Sequence, residues 1–251
     1  MKIAVAGGTG VLGQHIVEAA RRAGHDVSAL SRRNGSDLVT GEGLDAALAG
    51  VEVIVDATNT TSQAKGRATT FFTTVTRNLQ THGSRAGVER LLTISIVNIE
   101  RVPSGYYRAK LAQEGAARQG PLPVSIVRAT QFHEFPAQIL DRFHLGPIAF
   151  MPRMQVQTVA ARALSEVVVD VAARVPTTIN VAGPQPADLV DLARAVIARR
   201  GGKQRLIAMP IPGRAGSAMR SGALLPPEDA RLVGPTFEEW LAGEDVFAIG
   251  R

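Results

Sequence analysis

The sequence predicts an α/β fold in which a doubly wound parallel sheet is followed by a small C-terminal lobe. Two observations lead to this prediction. Short runs of β-branched residues alternate with alanine-rich stretches of helical spacing through the first half of the chain, which is typical of parallel strands joined by crossover helices. After Arg128 the alternation loosens, because Pro136, Pro147 and Pro152 break the chain into loops and short helices.

The predicted elements of the first half form six β units in series. Strands are expected at residues 3–6, 25–30, 51–55, 91–96 and 124–127, with one further strand, almost absent, between residues 33 and 37. Helices are expected at residues 11–23, 44–48, 72–81 and 106–118. The later part should carry helices at 159–173 and 188–199 and strands at 179–181 and 206–209. We therefore divide the chain into a sheet domain at 1–182, with an insert at about 129–158, and a small lobe at 183–251.

The composition fits a globular protein and excludes several kinds of chemistry. The chain has 251 residues, of which 45% are hydrophobic and 20% charged, enough to bury a substantial core. It contains no cysteine, which excludes disulfides, thiolate metal sites and a cysteine nucleophile. The N-terminus lacks the features of a signal peptide, and no uninterrupted apolar run reaches about 18 residues. We expect a cytoplasmic protein without a membrane span.

The positive charge of the chain does not by itself indicate a nucleic-acid partner. The formal net charge is +6, and clustered basic residues would attract phosphate backbones. The four lysines are scattered, however, and the arginines occur singly or in pairs without interleaved aromatic residues.

The five histidines lack a metal-ligand spacing such as HExxH. We therefore expect neither a nucleic-acid partner nor a metal.

A glycine-rich turn lies between the first predicted strand and the first predicted helix. Residues 7–13 read GGTGVLG and fit both the GxGxxG and the GxxGxxG pattern. Glycines are needed because the turn requires a positive φ, the backbone must approach a pyrophosphate, and the helix must pack closely on the strand. The free amides and positive dipole end of the helix then favour phosphate. This predicts a Rossmann-type dinucleotide site at Gly7, Thr9, Gly10, Val11, Leu12 and Gly13.

The residues after the second predicted strand indicate which dinucleotide is bound. In this fold the position carries an acid for a free ribose 2′-hydroxyl or a cation for a 2′-phosphate. Here Ser31, Arg32 and Arg33 follow the strand, without an acid. A guanidinium can form bidentate, charge-assisted hydrogen bonds with a phosphate, whereas a carboxylate would repel it. The sequence therefore favours NADP(H) over NAD(H); the alternative is that both arginines are solvated surface charges.

A YxxxK motif places a tyrosine and a lysine on one face of a predicted helix. Tyr106 and Lys110 are four residues apart and so lie one helical turn from each other. A phenol with an ordinary pKa of about 10 exchanges protons poorly at neutral pH, and a nearby ammonium lowers that pKa. Tyr106 would donate a proton to a carbonyl, while Lys110 would bind the nicotinamide ribose. Ser95, near the end of the preceding strand, would hold the substrate oxygen; alternatively it is an ordinary polar strand residue.

With these motifs the sequence resembles the short-chain dehydrogenase/reductases, and among them the atypical NmrA-like branch of NADPH-dependent quinone, dye and flavonoid-type reductases. The resemblance covers nearly the whole chain. It implies that Asp37 and Leu38 contact the adenine and that Ala57, Thr58 and Asn59 line the nicotinamide ribose.

The resemblance continues after the strand predicted at 124–127. Residues 128–132 read RATQF and stand where the family has an Arg-Pro segment, with Ala129 in place of the proline. Residues 179–184 resemble the family's late strand and turn. We assign Ala129 and Thr130 to the cofactor site. The substrate site is assigned Asn98, Gln131, Phe132 and Phe135, the phenylalanines stacking on a planar or apolar substrate or, alternatively, belonging to the core.

The predicted function is NADPH-dependent reduction of a small carbonyl, quinone or enone substrate. One alternative is a non-catalytic NmrA-like sensor of NADP(H), since some NmrA-like proteins lack the tyrosine and act as regulators. Another is an NAD-dependent sugar-nucleotide epimerase or dehydratase. The YxxxK motif favours an enzyme over a sensor, and the two arginines and short C-terminal part favour a reductase over an epimerase. The sequence leaves open which substrate is used and whether the protein is a monomer or a homodimer.

Overall fold

The computed structural model describes residues 1–60 and 65–243. The strands are β1 (Lys2–Ala6), β2 (Asp26–Leu30), β3 (Val53–Asp56), β4 (Arg90–Ile96), β5 (Val124–Ala129), β6 (His144–Leu145), β7 (Ile148–Pro152), β8 (Gln155–Val156), β9 (Thr178–Ala182), β10 (Ala187–Asp188), β11 (Arg205–Met209) and β12 (Arg231–Leu232). The α-helices are α1 (Val11–Arg22), α2 (Leu44–Ala47), α3 (Lys65–Arg85), α4 (Gly105–Gln119), α5 (Phe135–Arg142), α6 (Ala161–Ala172), α7 (Leu189–Arg199), α8 (Gly213–Arg220) and α9 (Phe237–Ala242). Within the described ranges, no helix is both long and apolar enough to span a bilayer. The end of the predicted C-terminal lobe, residues 244–251, lies outside the described residues.

Seven strands form one sheet in the order β12-β9-β5-β4-β3-β1-β2. The register is parallel between β2 and β1, between β1 and β3, between β3 and β4, and between β9 and β12. The chain runs from β1 outward to β2 and then returns to the other side of β1 with β3. Ligands of open α/β sheets bind at such a reversal, beyond the carboxyl ends of the strands. The predicted doubly wound, Rossmann-type α/β fold is confirmed.

The chain divides into two compact units. The first comprises Met1–Ile96, Ser104–Arg128 and Ala161–Ile179. The second comprises Val97–Pro103, Ala129–Ala160 and the chain from Asn180 onward. The sequence-based division into a sheet domain at 1–182, with a substrate-facing insert at about 129–158, and a small lobe at 183–251 stays a prediction.

The core of the first unit forms because β1 and β3 are apolar on both faces, as expected for parallel strands covered by helices on both sides. Ala4 of β1 and Ile54 of β3 share one buried cluster with Val75 and Leu79 of α3. Full burial of one leucine-sized side chain contributes roughly 1.5–3 kcal/mol relative to exposure. This core fixes the carboxyl ends of β1 and β3, where the polar site residues begin.

The second unit contains a three-stranded sheet in the order β11-β7-β6. Ala149 and Met151 of β7 are fully buried, and α5 and α7 both pack on this strand. Helix α7 is preceded by the N-cap residue Asp188, whose carboxylate accepts a hydrogen bond of 2.8 Å from the amide of Val190. Such a cap satisfies a backbone donor that the helix itself cannot pair.

Three expectations about secondary structure are wrong in detail. Residues 33–37 form no strand; Arg32–Asn34 instead form a 3-10 helix. The helix predicted at 72–81 is the central part of the longer α3, because packing against α4 outweighs the low helix propensity of its threonines. The region 129–158 contains the strands β6, β7 and β8 as well as a short helix. These strands are not predicted from the sequence, because the prolines of this region indicate breaks into loops and short helices.

Candidate cofactor and proton-transfer site

The turn between β1 and α1 is so closely packed that its glycines have no room for side chains. Gly7 has a φ of 77°, and a Cβ on this residue would lie 2.8 Å from the carbonyl oxygen of Ala57, just after β3. A Cβ on Gly13 would lie 2.0 Å from the carbonyl oxygen of Gly7. The amide of Gly10 closes the turn by donating a 2.9 Å hydrogen bond to the same oxygen. The positive φ and the close approach of α1 to the turn are those that a dinucleotide turn requires.

The N-terminus of α1 presents backbone donors without a side-chain cap. The N-cap residue is Gly10, and the first turn contains no acidic residue. The amides of Val11, Leu12 and Gly13 have no acceptor within the helix because they belong to its first turn. They lie at the positive end of a 12-residue helix, next to the exposed Thr9. This arrangement fits a pyrophosphate. All six residues predicted from the glycine motif lie in the turn or in the first helical turn of α1.

The end of β2 presents a hydroxyl and two cations. The Oγ of Ser31 is buried and has no hydrogen-bond partner among the described residues. Arg32 and Arg33 follow in the 3-10 helix with exposed side chains, and Gly35 ends that helix with a φ of 79°. An unpaired hydroxyl beside two exposed guanidinium groups fits a phosphate monoester.

Asp37 folds the loop that follows. Its Oδ1 accepts hydrogen bonds from the amides of Thr40, at 3.1 Å, and Val39, at 2.8 Å, and these bonds lower the pKa of the carboxyl. Leu38 packs against the buried cluster of the first unit. Asn78 of α3 donates hydrogen bonds to the carbonyls of Leu38 and Val39, at 3.0 and 2.9 Å. The loop is therefore held at both ends, while its predicted contact with adenine stays a prediction.

A buried carboxylate organises the segment after β3. Asp56 is fully buried, and its Oδ1 accepts hydrogen bonds from the amide and the hydroxyl of Thr58, at 3.1 and 2.6 Å. Its Oδ2 accepts a 3.0 Å hydrogen bond from the hydroxyl of Thr76 in α3. These bonds fix the backbone between Ala57, which contacts Gly7, and Asn59, which is exposed.

Tyr106 lies in the first turn of α4 and reaches this segment. Its hydroxyl donates a 2.7 Å hydrogen bond to Oδ1 of Asn59, and its ring packs edge-on against Phe72, with 6.0 Å between ring centroids. The helix is positioned by Ser104, whose hydroxyl accepts from the amide of Tyr107. Burial raises the pKa of Tyr106 to about 12. The phenol therefore keeps its proton at neutral pH, and its pKa lies above the ordinary value instead of being lowered by the ammonium as the sequence predicts.

Lys110 points into the protein rather than toward solvent. Its Nζ donates to the carbonyl of Ile94, at 2.7 Å, and to Oε1 of Gln113, and it lies 4.7 Å from the centroid of the Phe72 ring. Burial lowers the pKa of Lys110 to about 8, against the opposing effect of the carboxylates of Asp56 and Glu114. The ammonium and the Tyr106 hydroxyl thus have different hydrogen-bond partners.

Ser95 belongs to a buried ionic cluster. Its hydroxyl donates a 2.6 Å hydrogen bond to Oε1 of Glu114, which is 1% exposed. Glu114 also accepts two hydrogen bonds from Arg128, at 3.0 and 2.7 Å, and one of 3.1 Å from Arg118. These guanidinium groups and the serine hydroxyl hold the pKa of Glu114 below its usual range, although burial acts in the opposite direction and is the largest single effect. The proton of Ser95 is therefore directed at a carboxylate, and its predicted bond to a substrate oxygen stays a prediction.

The remaining predicted site residues belong to the second unit. Asn98 has a left-handed backbone, with a φ of 53°, and its side-chain amide donates a 2.7 Å hydrogen bond to the carbonyl of Leu225. Ala129 ends β5, Phe132 forms an isolated parallel bridge with Val159, and Phe135 begins α5. Their assigned contacts with cofactor or substrate stay predictions.

Polar atoms without partners are concentrated just after β5. The Oγ1 of Thr130, the Oε1 of Gln131 and the Oε2 of Glu134 are buried and lack a hydrogen-bond partner within the described chain. Burial also raises the pKa of Glu134. Buried polar atoms are rarely left unpaired in folded proteins, so these three are available to a bound molecule or to water.

His133, by contrast, is fully paired. Its Nε2 lies 3.2 Å from the carbonyl of Pro235, which can only accept, so Nε2 carries the proton and Nδ1 accepts from the hydroxyl of Thr158 at 2.7 Å. The ring packs on Phe237 and Trp240, with centroids 5.5 and 5.2 Å away. Burial lowers the pKa of His133 to about 4, which makes the residue a neutral part of the core.

Sequence reasoning missed the polar network around the predicted proton-transfer residues. The missed members are Asp56, Thr76, Gln113 and Glu114, together with the pairing of Arg128. One signal was present, because Gln113 and Glu114 follow Lys110 by three and four residues and so lie on the same helix face. A second was the aspartate that ends an otherwise apolar strand at residue 56.

The fold and the glycine turn define a Rossmann-type α/β protein whose first strand-turn-helix unit is shaped for a dinucleotide. Residues 3–98 match the model of the NAD dependent epimerase/dehydratase family, so this match concerns the N-terminal part of the chain. No curated protein matches the sequence.

Solved structures resemble the chain over nearly its whole length. A short-chain dehydrogenase/reductase superfamily protein from Agrobacterium tumefaciens with bound NAD is 19% identical, with 98% of this chain and 96% of that chain covered and a TM-score of 0.69. Triphenylmethane reductase from Citrobacter sp., complexed with NADP(H), is 16% identical over 100% of both chains, with a TM-score of 0.67. UDP-N-acetylglucosamine 4-epimerase from Bacillus cereus is 19% identical over 90% of this chain and 96% of its own, with a TM-score of 0.65. At these identities the likeness establishes the fold.

Proposed function

We propose that this protein is an NADPH-dependent oxidoreductase of the short-chain dehydrogenase/reductase type, in its NmrA-like branch, that reduces a small carbonyl, quinone or enone substrate. One observation carries the proposal. The Tyr106 hydroxyl is bonded to Asn59, two residues beyond Ala57, whose carbonyl lies against Gly7 of the glycine turn. A proton donor is thereby tied to the segment that borders the predicted phosphate site.

The choice of NADPH rests on the end of β2. The similar structures include one with NAD and one with NADP(H), so the fold by itself does not select the cofactor. Ser31, Arg32 and Arg33 offer a buried hydroxyl without a partner and two exposed guanidinium groups. These groups would hold a 2′-phosphate, and Gly7, Gly10 and Gly13 would allow the pyrophosphate to approach the α1 amides.

Tyr106 and Lys110 would carry the proton transfer. When bound, the reduced nicotinamide supplies a hydride to the substrate. Tyr106 would give the substrate oxygen its proton; because burial raises the pKa of the phenol, this transfer needs a nearby positive charge that lowers it. The ammonium of Lys110, one helical turn away, would supply that charge, although its own hydrogen bonds go to the Ile94 carbonyl and to Gln113.

Calorimetric titration tests the cofactor half of this proposal. We expect the purified protein to bind NADPH at least tenfold more tightly than NADH. A panel of carbonyls, quinones and enones, followed by loss of NADPH absorbance, then tests the reaction. Failure to bind either dinucleotide would overturn the proposal as a whole, whereas equal affinities would overturn only the assignment of the arginines.

A second candidate function is a non-catalytic NADP(H) sensor. The observation that favours it is that all three predicted catalytic groups donate to protein acceptors: Tyr106 to Asn59, Ser95 to Glu114, and Lys110 to Ile94 and Gln113. A sensor would bind NADPH tightly, show no turnover across the panel, and change its oligomeric or partner state between NADP⁺ and NADPH. Analytical ultracentrifugation with each form of the cofactor separates the two functions.

An epimerase or dehydratase is the third candidate, and the match of residues 3–98 to the NAD dependent epimerase/dehydratase family favours it. Such an enzyme would hold NAD and convert a sugar nucleotide without net consumption of the cofactor. Residues 31–36 contain no acidic side chain for a free ribose hydroxyl, which opposes this candidate. Incubation with NAD and UDP-sugars, followed by product analysis, distinguishes it from the reductase.

A further inference from the structure

The buried lysine of the candidate site is held by a glutamine that touches a carboxylate with its other end. The side-chain oxygen of Gln113 accepts a hydrogen bond from Nζ of Lys110, and its Nε2 donates a 2.8 Å hydrogen bond to Oδ2 of Asp56. Gln113 and Asp56 are both completely buried, and Lys110 is 4% exposed. One amide therefore bridges a buried cation and a buried anion.

The bridge leaves little freedom for any of its members. Oδ1 of Asp56 is taken by Thr58, and Oδ2 is shared between Gln113 and Thr76. With its NH₂ directed at the carboxylate, Gln113 must present its oxygen to Lys110. An amide supplies a donor at one side and an acceptor at the other, whereas neither an ionised carboxylate nor an apolar side chain reproduces both contacts.

We propose that Gln113 is a positioning residue that fixes the ammonium of Lys110 by linking it to the Asp56 carboxylate. The consequence for catalysis rests on the proposed function, but the positioning itself does not. Without the amide oxygen, the ammonium would keep only the Ile94 carbonyl and the face of the Phe72 ring. The charged form of the lysine would then be less favourable, and its affinity for a proton would fall.

The charged surroundings of Lys110 define what else can affect its protonation. Asp56 faces it from β3, and Glu114 faces it from α4, with Arg128 of β5 paired to that glutamate. Helix α3 and strand β4 contact the Lys110 ammonium with uncharged groups, the Phe72 ring and the Ile94 carbonyl. A change confined to Gln113 leaves all three charged neighbours in place.

Nuclear magnetic resonance of the apoprotein can measure the lysine directly, because the chain has only four lysines: Lys2, Lys65, Lys110 and Lys203. The probe is lysine labelled with ¹³C at Cε, titrated from pH 6 to 11, with assignment by the variant Lys110→Arg. We expect the wild-type Lys110 signal to titrate at least one pH unit below the ordinary lysine pKa of about 10.4. This wild-type midpoint is the reference for the midpoints of the Gln113 variants.

The substitution Gln113→Met keeps the size of the side chain and removes both hydrogen bonds. We expect it to lower the Lys110 midpoint by at least a further pH unit, a tenfold loss of proton affinity. Gln113→Glu, which restores an oxygen acceptor, should return the midpoint to the wild-type value or above. The matched control is Gln119→Met at the exposed end of the same helix. An unchanged midpoint in both Gln113 variants contradicts the proposal.

The same variants connect positioning to catalysis once a substrate is known. The alkaline limb of the pH profile of kcat/KM should move with the Lys110 midpoint from one variant to the next. If the midpoint shifts but no NADPH-dependent reduction is found, the reductase proposal fails and the positioning role stands. If reduction occurs and the midpoint is insensitive to Gln113, the positioning role fails and the reductase proposal stands.

Discussion

The glycine turn and the polar network around α4 are both polar regions of the first unit, but they differ in how far their polar groups are paired. At the turn, the first amides of α1 have no cap, and Ser31 Oγ is buried without a partner within the described residues. In the network, Asp56, Lys110 and Glu114 each have two or more protein partners. The donors at the turn and at Ser31 are therefore open to a partner from outside the chain, whereas the groups of the network hold one another in place.

The largest expected effect follows from filling the turn. Gly13→Val places a Cβ where 2.0 Å separates it from the Gly7 carbonyl, so α1 must move away from the turn. We expect NADPH affinity to fall by more than about 100-fold, together with a loss of several kcal/mol of stability. The control is Gly115→Ala in α4, where a Cβ meets nothing within 4 Å, and it should stabilise the protein by about 0.5–1 kcal/mol. Calorimetry and urea unfolding measure both changes, and a Gly13→Val protein with normal NADPH affinity would disprove the role of the turn.

The next effect separates the network from the turn. Tyr106→Phe removes the proposed proton donor and its hydrogen bond to Asn59 but leaves the glycine turn unchanged. We expect turnover to fall about 100- to 10,000-fold with less than a threefold change in NADPH affinity. The neighbouring Tyr107→Phe serves as the control and should retain turnover. Equal turnover in wild type and Tyr106→Phe would remove the tyrosine from the mechanism.

A third prediction extends the comparison to the paired histidine of the second unit. In the folded protein the pKa of His133 is about 4, whereas the unfolded chain takes up this proton near pH 6.5. Stability is therefore lost as the pH falls from about 6.5 to 4, by up to about 3 kcal/mol, because only the unfolded state gains the proton. Urea unfolding at several pH values should show this slope in wild type and a flatter slope in His133→Gln. The exposed His144→Gln is the control, and identical slopes in all three proteins would refute the prediction.

The smallest effect concerns cofactor selection. Replacing Arg32 and Arg33 together by alanine removes two exposed cations without disturbing the buried core. We expect NADPH affinity to fall about 10- to 100-fold while NADH affinity stays within a factor of two. Arg85→Ala, an exposed arginine at the end of α3, controls for the loss of overall positive charge. A parallel loss for both dinucleotides would mean that the arginines act through general charge rather than through a 2′-phosphate.

The same contrast explains what could be predicted from the sequence. The glycine turn depends on local backbone requirements, so residues 7–13 are sufficient to predict its conformation. The orientation of Lys110 depends on Phe72 of α3 and on Ile94 of β4, which are distant in sequence and come together only in the folded chain. A YxxxK spacing predicts a shared helix face but not whether the lysine turns toward the tyrosine or into the core.

The Asp56 carboxylate has a consequence beyond the stability of the fold. One of its oxygens holds Thr58, next to the asparagine that binds Tyr106, and the other holds the glutamine that binds Lys110. The Tyr106 phenol and the Lys110 ammonium are thus both linked, each through intervening residues, to the two carboxylate oxygens of Asp56 at the end of β3. A displacement of that strand end would therefore be transmitted to both groups, to the phenol through Thr58 and Asn59 and to the ammonium through Gln113.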